Sequence, residues 1–431
     1  MGISVFKFFN TSVFSLRHTK DLADRLGPGL ITGAADDDPS GIATYSQAGA
    51  QFGAGLLWTL ALTTPLMIAI QLISARIGWM TGQGLAASMC RVLPRWFAIS
   101  LVTMLVFANT LNIAADISAM GDALQLIVGG PEHGHAVLFG LLCAVLPVWL
   151  SYETMTRTLK WLTLALLSYV GVVFILNVQW TKVLVDTLIP HFQNNNKYWM
   201  MIVAILGTTI SPYLFFWQAS QEAEHRQHNK DPNDITHHEL FMHEHLYRIK
   251  LDTSIGMIFS NVIAFCVMLA TALTLNQHGI TDIESTKQAA EALRPIAGNF
   301  AFILFAAGII GTGMLAVPVL AGSAAYAVAD VFQWRSGLDH TLSEARGFYA
   351  VLIFATLIGT LVDFTALDPI KALIYSAVVN GVVAVPIMAV MMVIGSNKAI
   401  LGKYTLTRRH RWLGWLATMV MLAPVIAMLI T

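Results

Sequence analysis

Apolar runs long enough to cross a bilayer recur along almost the whole chain, with only short polar connections between them. A hydrocarbon core of roughly 30 Å needs about 20 helical residues. Runs of that size fall near 30–52, 55–78, 96–120, 135–152, 158–178, 198–222, 250–275, 299–328, 347–366, 369–395 and 410–430. They predict an all-α polytopic membrane protein of about eleven transmembrane helices. The two longest connections, near 223–248 and 276–298, are too short to fold as a separate domain.

Two of the runs break their own pattern. The first contains Asp36-Asp37-Asp38-Pro39-Ser40-Gly41, approached through Gly27-Pro28-Gly29. Proline removes a helix hydrogen bond and glycine weakens the helix. A carboxylate at bilayer depth costs at least roughly 2.5–3.5 kcal/mol. A helix that breaks where its acids sit resembles an ion site, with unwound carbonyls and carboxylates facing a cavity. The plainer alternative puts the acids in a loop, with Gly49 to Gln71 supplying the helix.

The sixth run holds Gly207-Thr208-Thr209-Ile210-Ser211-Pro212-Tyr213 near its middle. One intramembrane proline is commonly a kink. Here the two breaks hold corresponding places in two five-helix halves that cross in opposite senses. That arrangement predicts a 5+5 inverted repeat of the LeuT type with interrupted helices 1 and 6 and a midplane site. Similarity between the halves is not visible by eye, so the repeat is inferred from topology. The predicted organisation is a cytoplasmic tail over 1–26, repeat 1 over 27–178, repeat 2 over 198–395 and an additional helix over 410–431.

Composition agrees: 56% of residues are hydrophobic and 12% charged, where soluble domains run nearer 25%. Formal net charge is zero, which gives no sign of a nucleic-acid partner. Cys90, Cys143 and Cys266 form no metal-type or redox spacing. The start lacks a small-residue cleavage site, and Phe6 stands where a myristoylation motif needs Ser or Thr. With the N-terminus inside, 20 of the 25 Lys and Arg lie on the cytoplasmic side. The outside keeps Lys182, Lys197, Lys287, Arg294 and Lys371. This bias predicts a multi-pass plasma (inner) membrane protein with a cytoplasmic N-terminus and an external C-terminus. No nucleophile–base constellation supports an enzyme, and no cofactor is expected.

Read together, these pieces resemble the NRAMP family of divalent-metal transporters along most of the chain. The resemblance rests on Gly27-Pro28-Gly29 leading into Asp38-Pro39, the following Ile42-Ala43-Thr44, Ser74-Ala75-Arg76, and the interrupted span around Pro212. The family pattern in span one is Asp-Pro-Gly-Asn, whose Asp and Asn bind metal. The resemblance therefore assigns the metal-binding aspartate to Asp38 and puts Gly41 at the asparagine position. In span six the family reads Ala-x-x-Met-Pro-His. The carbonyl ligand falls on Thr208, the thioether position on Ser211, and the histidine of the proton route on Tyr213. Asn380 lies where the family often places a polar side chain near the ion. These departures look like the NRAMP-related magnesium transporter branch.

The substitutions carry a chemical expectation. A thioether selects transition metals, and oxygen ligands suit Mg²⁺. Mg²⁺ dehydrates reluctantly and keeps several waters around one or two carboxylates. Ser211 removes the soft donor, and Gly41 is expected to leave room for a partly hydrated Mg²⁺, with Mn²⁺ tolerated. Asp37 is a further candidate ligand; Asp36 and Asp37 otherwise add negative potential or serve in pairing or capping. Tyr213 cannot replace a histidine as proton carrier near neutral pH, so transport without proton coupling is expected. The alternatives are a proton-coupled Mn²⁺/Fe²⁺ transporter and a sodium-coupled organic solute symporter, the latter wanting an amphiphilic pocket. Asn112, Asp116, Asp252 and Asp363 read mainly as paired structural polars. The His-rich tract from His225 to His245 reads as solvated surface, with Glu222 and Glu224 placed to line an exit path.

Overall fold

Both sequence breaks are real interruptions of helix in the computed structural model, which describes residues 28–149, 164–228, 238–283, 285–364 and 368–431. The expected tail over 1–26 lies outside the described residues. The first span is divided into α1 (Pro28–Asp36) and α2 (Pro39–Phe52). Gly53, with φ of 58°, and a short 3-10 turn separate α2 from α3 (Leu57–Thr81). After α4 (Leu85–Cys90) come α5 (Arg95–Val128) and α6 (Glu132–Trp149). Next are α7 (Leu167–Ile175) and α8 (Trp180–Leu188), which bend by 118° at their junction. The second interrupted span is α9 (Asn196–Thr209) and α10 (Pro212–His228). The other long helices are α11 (His238–Thr274), α12 (Ala301–Phe332), α13 (Arg346–Val362), α14 (Pro369–Ser396) and α15 (Arg408–Ile430).

The described helices account for the eleven expected spans, though part of the fifth run, 150–163, lies outside the described residues. Seven described helices are long and apolar enough to cross a membrane, counting Pro39–Thr81 once. The bent pair makes up to eight, and two shorter apolar helices complete the set. The largest boundary difference is at α11, which begins at His238 rather than near 250. A polar first third carrying His, Glu and Arg masks that extension in any hydropathy window.

Each break has the same local cause. Pro39 and Pro212 stand at the first position of the second half-helix, where a missing N–H costs nothing. The residue before each proline is pushed out of the helical region. Asp38 adopts φ −71° and ψ 170° and accepts the Gly41 N–H as N-cap of α2. Ser211 donates to the carbonyls of Gly207 and Thr208 at 2.9 and 2.8 Å, satisfying acceptors that α9 leaves open at its end.

The half-helices are held by close backbone contacts. A Cβ on Gly29 would lie 2.6 Å from the Thr253 nitrogen, and one on Gly33 would overlap the Gly256 backbone. Thus α1 lies on α11 through the run Gly29-Leu30-Ile31-Thr32-Gly33, a small-xxx-small face of the kind that lets membrane helices approach. Gly207 meets α14 at Ala377 and Gly381, and Gly78 meets α10 at Ala219 in the same way. Around this inner set, α5 packs against α12, α14, α6 and α13, and α15 covers α9, α14 and α3.

Gly33→Ala should therefore lower the unfolding temperature in detergent by several degrees, because two backbones must part. Gly55→Ala should leave it unchanged, since nothing lies within 4 Å of a Cβ there. Equal midpoints for the two variants would show that α1 is not seated by backbone contact.

Candidate functional site

The two breaks face each other through α1, α2, α9 and α10, and four carboxylates surround them. Asp36, Asp37 and Asp38 are 1%, 4% and 2% exposed, and Asp116 on α5 is fully buried. Among the described residues, no Lys, Arg or His forms an ion pair with any of the four. Buried charges are ordinarily paired or bound to a metal. Among the described residues, no protein cation is placed to balance this cluster.

Asp38 is the best served of the four. Its Oδ1 accepts Gly41 N–H at 2.7 Å and Ser40 Oγ at 3.0 Å; its Oδ2 accepts Asn112 Nδ2 at 2.8 Å. Asn112 is in turn held by Ser376 of α14, which donates to Asn112 Oδ1 at 2.6 Å. The chain Ser376–Asn112–Asp38 ties α14 and α5 to the first break. Asp116 faces the Ser40 backbone N–H without a well-formed hydrogen bond to either oxygen, and Asp38 is its charged neighbour.

The other predicted residues sort as follows. Thr208 lies across from the first break: its Oγ1 would be 3.0 Å from a Cβ on Gly41. The Thr208 carbonyl already accepts the Ser211 hydroxyl. Asn380 is 1% exposed and its Oδ1 has no hydrogen-bond partner. Tyr213 donates to the Ala35 carbonyl at 2.9 Å and so ties the start of α10 to the last turn of α1. It serves the join between the interrupted helices.

The expectation of open room at Gly41 is corrected. Besides Thr208 Oγ1, a Cβ there would lie 3.4 Å from both Asp38 Oδ1 and Tyr45 Cε2. Tyr45, one helical turn on, turns its ring into the volume that a longer side chain at 41 would use. Tyr45 is 1% exposed, and its hydroxyl is directed at the Thr208 side chain. Sequence reasoning passed over Tyr45, although i to i+4 spacing puts it on the face of Gly41. It also passed over Ser260, a small hydroxyl in α11 that donates to Asp36 Oδ2 at 2.6 Å and lies 3.1 Å from Asp37 Oδ1.

Side chains tie both half-helices of the first span to their surroundings. At one end Gln47 accepts Ile283 N–H at 2.9 Å and donates to the Thr281 carbonyl at 3.2 Å, pinning the connection after α11 over α2. At the other, Asp252 of α11 accepts the Gly29 N–H at 2.7 Å, fixing the free end of α1. A cavity of about 650 Å³ opens at this end, lined in part by Gln83, Arg91, Arg95, Glu224, Tyr326 and Asp330. Tyr326 donates to Glu224 at 2.8 Å, and the fully buried Trp217 packs edge-on against its ring.

The expected exit-lining pair divides. Glu224 lines the cavity; Glu222 is fully buried against Arg248 at 2.6 Å. In the His-rich tract, His245 stacks on Trp79 with ring centroids 4.5 Å apart and His225 lies beside it, so neither is free surface. Residues 229–237 of the tract lie outside the described residues. Asp363 pairs with His133 at 2.9 Å, as a structural polar should.

The chain matches the family described as natural resistance-associated macrophage protein-like over residues 29–431. A divalent metal cation transporter MntH of Caldanaerobacter subterraneus is 27% identical over 407 residues, covering 90% of this chain and 88% of that one. A second MntH, from Clostridium acetobutylicum, is 25% identical, covering 96% and 93%. The fold is similar to that of a manganese transporter of Eremococcus coleocola, with a TM-score of 0.73 at 17% identity over 96% and 88% of the two chains. Mhp1, a nucleobase-cation-symport-1 family transporter, shares it with a TM-score of 0.59 at 12% identity, covering 94% and 90%.

Tyr213→Phe removes the tie to Ala35 while keeping the ring. It should lower stability by about 1 kcal/mol, read as a lower thermal midpoint. An unchanged midpoint would mean that the Ala35 carbonyl finds water instead.

Proposed function

The chain belongs to the natural resistance-associated macrophage protein-like (Nramp) family, and from that premise we propose that it imports hard divalent cations, Mg²⁺ ahead of Mn²⁺. The observation that carries this reading is the set of four buried carboxylates with no protein cation beside them among the described residues. In this reading Asp38 supplies the principal charged ligand. The Thr208 carbonyl and Asn380 Oδ1 supply neutral oxygens, and Gly41 and Ser211 mark where water replaces a family ligand. An oxygen-only set suits Mg²⁺ and lacks the thioether that holds softer metals. Because Tyr45 fills the space beside Gly41, room for a hydrated ion depends on that ring moving.

The same reading makes transport uncoupled from protons. Tyr213 stands at the family's histidine position, and its hydroxyl is committed to a backbone carbonyl. With the N-terminus cytoplasmic in the inner membrane, the membrane potential offers roughly 2.3 kcal/mol per charge per 100 mV to draw a dication inward. The likeness to the magnesium branch of the family belongs to this proposal. A second reading, a proton-coupled Mn²⁺ transporter, is favoured by the names of the relatives and opposed by Ser211 and Tyr213.

Flux into proteoliposomes tests it. Asp38→Ala should abolish Mg²⁺ uptake; uptake near the wild-type rate would remove Asp38 from the site. Wild-type Mg²⁺ or Mn²⁺ flux should leave a lumenal pH dye unchanged. Acidification in proportion to flux would favour the second reading.

Gly41→Asn should fold poorly alone, since its Cβ meets Thr208 and Tyr45. Joined with Tyr45→Ala and Ser211→Met, it should bind Cd²⁺ more tightly than wild type by calorimetry. No gain in Cd²⁺ affinity would show that these positions do not set selectivity.

A further inference from the structure

Two long stretches of this chain carry no acid, and the fold brings them together. No Asp or Glu occurs between Asp38 and Asp116. None follows Asp368, although Lys371, Lys398, Lys403, Arg408, Arg409 and Arg411 do. Helices α3 and α15 lie wholly within these stretches.

Packing gathers their basic residues at one end. A Cβ on Gly414 of α15 would lie 2.9 Å from Ile73 Cδ1 of α3. His410 stands one turn before Gly414 on the same face, and Arg76 stands three residues beyond Ile73. Tyr404, in the turn leading into α15, packs on Ala75 and Trp79 of α3 and on Ile249 of α11. The start of α15 therefore lies beside the Arg76 end of α3 and the Lys250 region of α11. Arg76 and Lys250 are accordingly the charged neighbours of His410.

Nothing among the described residues answers this charge. Arg76 is half-buried, and its guanidinium makes no hydrogen bond or ion pair there; its Nε is closed off from solvent. Lys250, Arg408, Arg409 and Arg411 form no ion pair either. Exposed cations on a cytoplasmic face are ordinary. A guanidinium drawn into the protein with no acceptor is not, because its donors lose water without replacement.

The surface beside Arg76 suits a lipid. Of the seven long apolar spans, α15 is the least buried. Trp412 and Trp415 follow its basic turn and are exposed, as are Leu416 and Met419 further along. Cations, then aromatic rings, then aliphatic side chains is the order met on passing from headgroups into hydrocarbon.

We propose that Arg76, Lys250 and His410, with the basic first turn of α15, bind the phosphate of an anionic phospholipid whose acyl chains lie along α15. The planar guanidinium fork takes phosphate oxygens in pairs. Lys250 and the first-turn arginines hold the headgroup by charge, in the leaflet where anionic lipids concentrate. The inference does not depend on which ion the protein carries.

The test counts lipids on the purified full-length chain by native mass spectrometry, using phosphatidylglycerol and phosphatidylcholine of equal chain length. Wild type should retain one phosphatidylglycerol in preference to phosphatidylcholine. Arg76→Gln should weaken that binding about tenfold. Lys250→Gln, at an exposed position that keeps the test open if the first variant does not fold, should weaken it about fivefold. Arg346→Gln, which removes an exposed cation at the start of α13, should change nothing. Equal losses in Lys250→Gln and Arg346→Gln would reduce the preference to diffuse attraction and overturn the site. Equal retention of the two lipids by wild type, or unchanged binding in both patch variants, would overturn it as well. A thermal stabilisation by inorganic phosphate as large as that by phosphatidylglycerol would assign the patch to a free anion and overturn the lipid.

Discussion

Burying four carboxylates with no cation paired to them among the described residues is the constraint on which the rest of this molecule depends. Four carboxylates sit within one core, and each costs several kcal/mol to desolvate unless it is compensated. The chain compensates in part with donors and in part by geometry. Breaking the first span frees the Gly41 N–H to point at Asp38 and turns the Asp37–Asp38 backbone out of helix. Breaking the sixth brings Thr208 and Ser211 opposite. Without the charges, two interrupted helices would be an unexplained loss of backbone hydrogen bonds inside a bilayer.

The surrounding helices hold these breaks by backbone proximity. Gly29 and Gly33 seat α1 on α11, Gly207 seats α9 on α14, and Gly78 seats α3 on α10. Side-chain ties then fix the register. Ser74 donates to the Phe215 carbonyl at 2.5 Å, and Gln71 donates to Gln218 at 2.6 Å, which passes the chain on to Thr253. Thus the Ser74-Ala75-Arg76 motif of α3 locks α10 in place, and Gln218 joins α10 to α11. The glycines set how near the helices come; the amides set where along their length they stop.

Much of this was legible in the chain, because the features that break a strong pattern are the ones that hydropathy exposes. An acid triplet before proline and a Thr-Thr-Ile-Ser-Pro run inside apolar spans mark both interruptions. The span count followed from length alone. The reading failed where contact depends on three dimensions. Nothing in the residues around Gly41 says that the Tyr45 ring occupies the volume its missing side chain leaves. Ser260 is one hydroxyl among many in apolar helices, and only the docking of α1 brings it to Asp36. His225 and His245 are polar letters in a polar stretch, yet Trp79 half-covers them, stacking on His245 and lying tilted beside His225.

The join between Asp252 and the Gly29 amide also has a mechanical meaning. Helix α1 has nine residues, so at 1.5 Å per residue it is a rod about 13 Å long. One end meets the unwound Asp37–Asp38 peptide, and at the other the Gly29 N–H donates to Asp252 beside the close Gly29–Thr253 contact. A tilt of about 20° at the unwound peptide swings the other end through about 4–5 Å, wider than a water molecule. A small rotation beside the carboxylates would thereby be geared into a large aperture at the far end once the Asp252 bond and the glycine contacts had parted, and the leverage comes from the shortness of the helix.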